Sequence, residues 1–127
     1  MTEKQQKAIE LHGKGYNCFQ SVACVFAPEL DVDEVTAFRM GEGFGLGMGD
    51  MSQTCGAITG GLLVLGLKGA SDATVSEYLR ILKERHGGSL NCPDLLRRNQ
   101  EVVKMNKKAH CDGMILESIQ LAEELLA

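Results

Sequence analysis

The most apolar part of the chain reads SQTCGAITGGLLVLGL and runs from Ser52 to Leu67. At helical spacing, apolar side chains cover every side of this segment. They are Ile58, Leu62 and Leu65 on one face and Leu63, Val64 and Leu67 around the rest. A helix that is apolar all round is a buried one, so we expect a central helix over this range. Gly60 and Gly61 weaken it by about 1 kcal/mol each relative to Ala, which predicts a neighbouring helix packed closely against them.

Helix start signals lie upstream of this segment. A polar first helix is expected from about Glu3 to His12, and its thin apolar face leaves room for a homodimer. Asn17 is a favoured N-cap for a second helix that begins at Cys18. Asp31 is expected to cap a third helix, with Glu34 as its capping-box partner.

Three more helices are expected downstream. Ser71 caps an amphipathic helix that ends at Gly87-Gly88, and Cys92 begins a short helix with Pro93 in its first turn. The last helix is expected over residues 113–127, whereas the charged residues 99–108 show no clear pattern. No segment alternates as a strand does. The sequence therefore predicts an all-α fold, a single-domain bundle of about five to seven helices over residues 1–127.

Composition narrows the classes of function. The 127 residues carry 13 Lys and Arg against 17 Asp and Glu, a net charge of −4, which disfavours a nucleic-acid binder with a basic surface. The longest uncharged stretch, Met51–Leu67, contains four glycines and is shorter than the roughly 20 apolar residues that a membrane span needs. The first residues lack the pattern of a secretory signal, so we expect a cytoplasmic protein that binds neither nucleic acid nor membranes.

Five glycines alternate with other residues in GEGFGLGMG, from Gly41 to Gly49. The segment is not a phosphate-binding P-loop because no Lys follows it. It is not the dinucleotide-binding G-x-G-x-x-G motif either, because Leu46 occupies the position of the third glycine. We therefore expect a loop in which the backbone turns tightly or approaches another group closely.

The five cysteines are the residues most suggestive of function. Four of them, Cys18, Cys55, Cys92 and Cys111, fall at predicted helix N-termini. The positive end of a helix dipole favours a thiolate, so these four are expected to have lowered pKa values. Cys24 is six residues beyond Cys18 on the same helix, points about 120° away from it, and is expected to be an ordinary buried residue.

The chain has no C-x-x-C pair and no H-E-x-x-H motif, so any site must be assembled by folding. One interpretation is that the four cysteines bind an iron–sulfur cluster or a zinc ion. A second is that pairs of them cycle between dithiol and disulfide without a cofactor. A third is a structural zinc module or a helical interaction module without redox activity. His110, which adjoins Cys111, is expected at the surface.

The same cysteines carry a resemblance to a known family. The chain resembles the redox-active proteins named for the pattern C…GCAxxG…C…C, with Cys18, Cys92 and Cys111 as the first, third and fourth cysteines. Cys55-Gly56-Ala57-Ile58-Thr59-Gly60 matches the central motif, with Cys55 and Gly56 in the reverse order. The resemblance implies redox chemistry at the four cysteines, with Gly56 and Gly60 beside any bound cofactor. It also implies a redox partner protein whose identity the sequence does not give.

Overall fold

The computed structural model describes residues 1–45, 47–104 and 106–127, and within these ranges the fold is all-α. The predicted fold class is confirmed. The seven α-helices are α1 (Glu3–Gly13), α2 (Cys18–Phe26), α3 (Glu34–Met40), α4 (Gly56–Leu67), α5 (Asp72–Arg85), α6 (Cys92–Arg98) and α7 (Lys107–Leu126). A 3₁₀ turn follows α2 at Ala27–Glu29, and two wide turns cover Gly47–Met51 and Asn99–Val103.

The apolar helix α4 lies at the centre of the bundle. It packs mainly against α2 and α7, while α1 packs against α2 and α7 from the other side. Ile58, Val64 and Leu65 of α4 have no exposed surface. The two glycines of α4 face different neighbours, because a side chain on Gly60 would meet the backbone of Phe19 on α2 and one on Gly61 would overlap the hydroxyl of Tyr78 on α5. Close packing against these glycines was expected from the sequence, and the contacts bear it out.

Two helix starts lie where the sequence places them. Asn17 caps α2 through a hydrogen bond from the Gln20 amide to its side-chain oxygen, and the Gln20 side chain accepts in return from the Asn17 amide. Ser71 accepts from the Thr74 amide at the start of α5. Local capping of this kind satisfies amide groups that have no partner within the helix.

Three predicted boundaries are wrong. Asp33 rather than Asp31 caps α3, and Asp31 has a left-handed backbone with φ of 56°. The central helix begins at Gly56 rather than Ser52, because the residues before it pair with a distant segment. The last helix begins at Lys107, since Asn106 caps it by accepting a hydrogen bond from the Ala109 amide.

No helix in the described part of the chain is both long enough and apolar enough to cross a membrane.

Candidate functional site

Cys18 is the first residue of α2, and the cap of that helix fixes its position. The side-chain amide of Asn17 donates to the carbonyl of Gly41 at 2.9 Å, and that of Gln20 donates to the carbonyl of Phe38 at 2.9 Å. Both capping residues therefore hold the end of α3 and the start of the glycine-rich loop against α2. Cys18, between the two capping residues in the chain, is buried.

The glycine-rich loop packs directly on the helix starts, so the close backbone approach expected of it is confirmed. A side chain on Gly45 would overlap the side chain of Asn17, and one on Gly56 would lie 3.1 Å from the carbonyl of Phe44. The ring of Phe44 stacks on that of Phe19, with centroids 5.1 Å apart. Absence of side chains on these glycines lets the loop cover the beginnings of α2 and α4. Leu46, inside the loop, lies outside the described residues.

Cys55 and Cys92 are held together by backbone pairing. The amide of Cys55 donates to the carbonyl of Leu90 at 2.9 Å, and the amide of Cys92 donates to the carbonyl of Gln53 at 2.7 Å. These two bonds form an isolated antiparallel bridge between Thr54 and Asn91. Alternation across such a bridge puts the side chains of residues 55 and 92 on the same side, where both cysteines are buried.

Gly47 is the point at which the loop backbone packs closely against the side chain of Cys92. Its φ of 61° is left-handed, and a side chain there would lie 2.6 Å from the Cβ of Cys92 and 2.9 Å from the carbonyl oxygen of Gln53. Any larger residue would displace one of these groups, so the loop backbone, the bridge and the Cys92 side chain fit together only with glycine.

Cys111 lies in the second turn of α7, so its predicted place before the start of the last helix is wrong. Lys107 and Lys108, which precede it, are helical because Asn106 caps α7. Asp112, the next residue, accepts a hydrogen bond from Lys108 at 2.9 Å and lies 2.6 Å from Nδ1 of His12. The contact with His12 joins the end of α1 to α7 beside Cys111.

The thiols of Cys18 and Cys111 form a direct pair. The Cys18 thiol donates a hydrogen bond to the Cys111 sulfur, which holds the proton on Cys18 and raises its pKa. The same bond lowers the pKa of Cys111 to about 7; burial opposes the decrease, and the nearby Lys107 ammonium reinforces it. Cys111 is therefore the thiol of this pair that ionises near neutral pH.

All four predicted cysteines lie close enough to interact. Charge on Cys55, Cys92 or Cys111 raises the pKa of Cys18, and charge on Cys92 or Cys111 raises that of Cys55. Cys24 is buried apart from them, with its thiol 3.8 Å from the carbonyl of Glu34. Folding thus brings together the four cysteines that the sequence singled out and leaves the fifth outside.

The expectation of lowered pKa values at four helix starts is wrong for three of the thiols. Burial raises the pKa of Cys55 to about 12, although hydrogen bonds from the backbone of Ala57 and Ile58 act in the opposite direction. Burial also raises the pKa of Cys92. At Cys55 and Cys92 the loss of water around the thiolate thus outweighs the favourable dipole of a helix start, whereas at Cys18 the hydrogen bond to Cys111 is the larger cause and burial adds to it.

A surface cavity of about 440 Å³ opens onto the Cys18–Cys111 pair. The polar and thiol side chains that line it are His12, Asn17, Cys18, Lys107, Lys108 and Cys111. Cys111 is partly exposed, whereas Cys18 is 6% exposed. A small molecule can therefore reach Cys111 from solvent at a cavity that Cys18 also lines.

Sequence reasoning missed the polar residues around this cavity. The sequence predicts His12 only as the last residue of the first helix, and Lys107 and Lys108 belong to the charged segment 99–108 that shows no clear pattern. A cap signal at Asn106 could have placed both lysines in a first turn, but the pairing of His12 with Asp112 spans 100 residues and leaves no local signal. His110 is buried rather than exposed, with its ring nitrogen 2.6 Å from the side-chain nitrogen of Asn99, so its predicted surface position is wrong.

The four thiols as they stand do not match a metal site. Within the described ranges, no group of three or more His, Cys, Asp or Glu side chains is arranged to hold a metal ion. A four-thiolate centre would require these side chains to turn toward one common point.

Residues 16–125 match the family model described as "Putative redox-active protein (C_GCAxxG_C_C)". The chain belongs to this family. The C_GCAxxG_C_C match spans all four site cysteines and the central motif with Gly56 and Gly60, whose missing side chains let α4 approach the glycine-rich loop and α2. No curated protein and no solved structure matches the chain.

Proposed function

We propose that this protein is a thiol–disulfide redox protein whose working pair is Cys18 and Cys111. The observation that carries the proposal is that both thiols line the same open cavity and are hydrogen-bonded to each other, with the pKa of Cys111 lowered to about 7. An attacking thiol works best when its pKa is near the ambient pH. Cys111 meets this condition and is also the more accessible member of the pair.

The order of the exchange reaction follows from the different environments of the Cys111 and Cys18 thiols. The Cys111 thiolate attacks one sulfur of a substrate disulfide, whose S–S bond breaks and releases the first half as a thiolate. Cys18 then loses its proton and attacks the Cys111 sulfur, which releases the second half and forms the Cys18–Cys111 disulfide. Two electrons pass from the two cysteines to the substrate, and each released half takes up one proton. The reverse sequence would oxidise a dithiol.

In this proposal, Cys55 and Cys92 are a second, buried pair of thiols near the working pair. Both lie within electrostatic reach of the working pair, and the Thr54–Asn91 bridge keeps them on one side. Their raised pKa values keep them protonated at neutral pH. A reducing compartment such as the cytoplasm fits a protein whose resting thiols are reduced.

A four-thiolate metal centre is the second candidate: an iron–sulfur cluster would transfer electrons, whereas a zinc ion would be redox-silent. Mutual electrostatic influence among all four thiols favours it. The present arrangement of the described residues does not form a metal site, so thiol–disulfide chemistry is the function that the geometry supports better.

Thiol counting tests the proposal. Protein purified anaerobically is treated with an excess of an oxidised dithiol, and free thiols are counted before and after reduction. We expect at least two thiols to disappear on oxidation and a peptide that joins Cys18 to Cys111 in a digest made without reductant. Cys111→Ser should abolish this cross-link, whereas Cys24→Ser should leave it unchanged.

Two results would overturn the proposal. One is that Cys18 and Cys111 stay reduced under oxidation while the fold is intact. The other is stoichiometric iron or zinc that protects all four cysteines from modification, which would establish the second candidate instead.

A further inference from the structure

The cavity above the working pair is unusual in its charge. The chain as a whole has a net charge of −4, yet the cavity is lined by Lys107, Lys108 and His12. Among the described residues, no carboxylate lines it. The nearest acid at the site, Asp112, lies beside Lys108 and His12 rather than in the cavity wall. Asp112 offsets part of this charge through its pairs with Lys108 and His12, but the two lysines outnumber the one carboxylate at the cavity of a protein whose net charge is negative.

The position of the two lysines increases this local positive charge. Both stand in the first turn of α7, which contains no acidic residue. A helix N-terminus already carries partial positive charge, and acids rather than lysines are favoured there. Lysines at this end oppose local helix stability, and together with the helix dipole they direct a positive potential into the cavity.

We infer that the cavity binds a small disulfide that bears carboxylate groups, with Cys111 placed to attack its S–S bond. This inference rests on the proposed function and specifies its substrate class. A volume of about 440 Å³ lies in the range of small-molecule sites, roughly 300–1,000 Å³. The lysines supply donors and positive charge for carboxylates. The electrons move as in the exchange described above, from Cys18 and Cys111 to the two sulfurs of the ligand.

The test compares three small symmetrical disulfides that differ in charge: 3,3′-dithiodipropionate as the dianion, bis(2-hydroxyethyl) disulfide as the neutral compound and cystamine as the dication. Each is mixed with the reduced full-length protein at low ionic strength, and formation of the Cys18–Cys111 disulfide is followed after acid quench. Each rate is divided by the rate with free 1-thioglycerol at the same pH, a neutral thiol that none of the three disulfides releases, which removes differences in intrinsic reactivity. We expect the anion to exceed the neutral compound by about tenfold, and the advantage to fall as salt is added.

A double variant separates the role of the lysines from a general loss of reactivity. Lys107 also lowers the pKa of Cys111, so Lys107→Gln with Lys108→Gln should slow all three reactions, and the ratio of anion to neutral rates is the decisive quantity. We expect this ratio to fall to near one. Lys68→Gln is the matched control, because Lys68 lies just beyond the opposite end of α4 from Cys55 and pairs with Glu29.

The outcomes distinguish this inference from the proposed function. Equal normalised rates for the three disulfides, or a ratio unchanged in the double variant, would overturn the anionic substrate class and leave thiol–disulfide exchange standing. Failure of all three disulfides to oxidise the pair in the folded protein would instead remove the proposed function and this inference together.

Discussion

The proton between Cys18 and Cys111 determines which sulfur reacts. Cys18 donates to Cys111, so the pKa of Cys111 falls to about 7. We expect alkylation of Cys111 by iodoacetamide, followed by mass spectrometry of its peptide, to increase with pH around a midpoint near 7. In Cys18→Ala the donor is gone, and the midpoint should move above about 8.

Cys18→Ser is the matched control, because a serine hydroxyl can still donate to the Cys111 sulfur. Its midpoint should stay closer to 7, although the variant can no longer form the disulfide. Identical midpoints in Cys18→Ala and in the unaltered protein would show that the hydrogen bond from Cys18 does not control the ionisation.

Gly47 is the residue at which the loop and the site depend on each other most closely. Gly47→Ala combines a left-handed φ of 61° with a contact of 2.6 Å to the Cβ of Cys92. We expect a loss of about 2–4 kcal/mol in the free energy of unfolding, from backbone strain and overpacking together. Urea denaturation of the reduced protein measures it.

Gly43→Ala is the control within the same loop, since nothing lies within 4 Å of its added side chain and its φ is not left-handed. Its effect should stay within about 0.5 kcal/mol. Equal effects at Gly43 and Gly47 would mean that the loop does not pack on Cys92 as described.

Within α4, two glycines at different positions should respond in opposite directions to the same change. Gly66 is exposed with open space around it, so Gly66→Ala should stabilise the protein by up to about 1 kcal/mol through helix propensity. Gly61→Ala should destabilise it by about 1–3 kcal/mol, because the added methyl group displaces the Tyr78 hydroxyl, which donates to the carbonyl of Ile58. Urea midpoints of the two variants test this, and stabilisation by both would contradict the packing of α5 on α4.

The elements also show what the sequence could and could not predict. Asn17, Ser71 and the apolar run of α4 act through neighbours a few residues away, so the helices that depend on them were predictable. The Thr54–Asn91 bridge joins segments far apart in the chain, and the predicted helix start at Ser52 failed because no local pattern encodes that pairing. Separation along the chain also limits what could be predicted about the site. The sequence indicates its four cysteines, but no local pattern predicts that Cys18 pairs with Cys111.

At the level of the whole molecule, oxidation should change stability. A disulfide between Cys18 and Cys111 closes a loop of about 90 residues, which restricts the unfolded chain by up to about 4–5 kcal/mol. We expect the oxidised protein to unfold at higher urea concentration than the reduced one. Cys111→Ser should show no such difference between oxidising and reducing conditions. If the urea midpoint of the unaltered protein were the same in both conditions, this would argue against the cross-link.

The Thr54–Asn91 bridge has a practical consequence for following the site. Its two hydrogen bonds protect the amide protons of Cys55 and Cys92 themselves, so these protons can exchange with deuterated solvent only when the bridge opens. Two backbone signals that adjoin site thiols therefore measure how often this part of the molecule comes apart, while every sulfur stays chemically untouched.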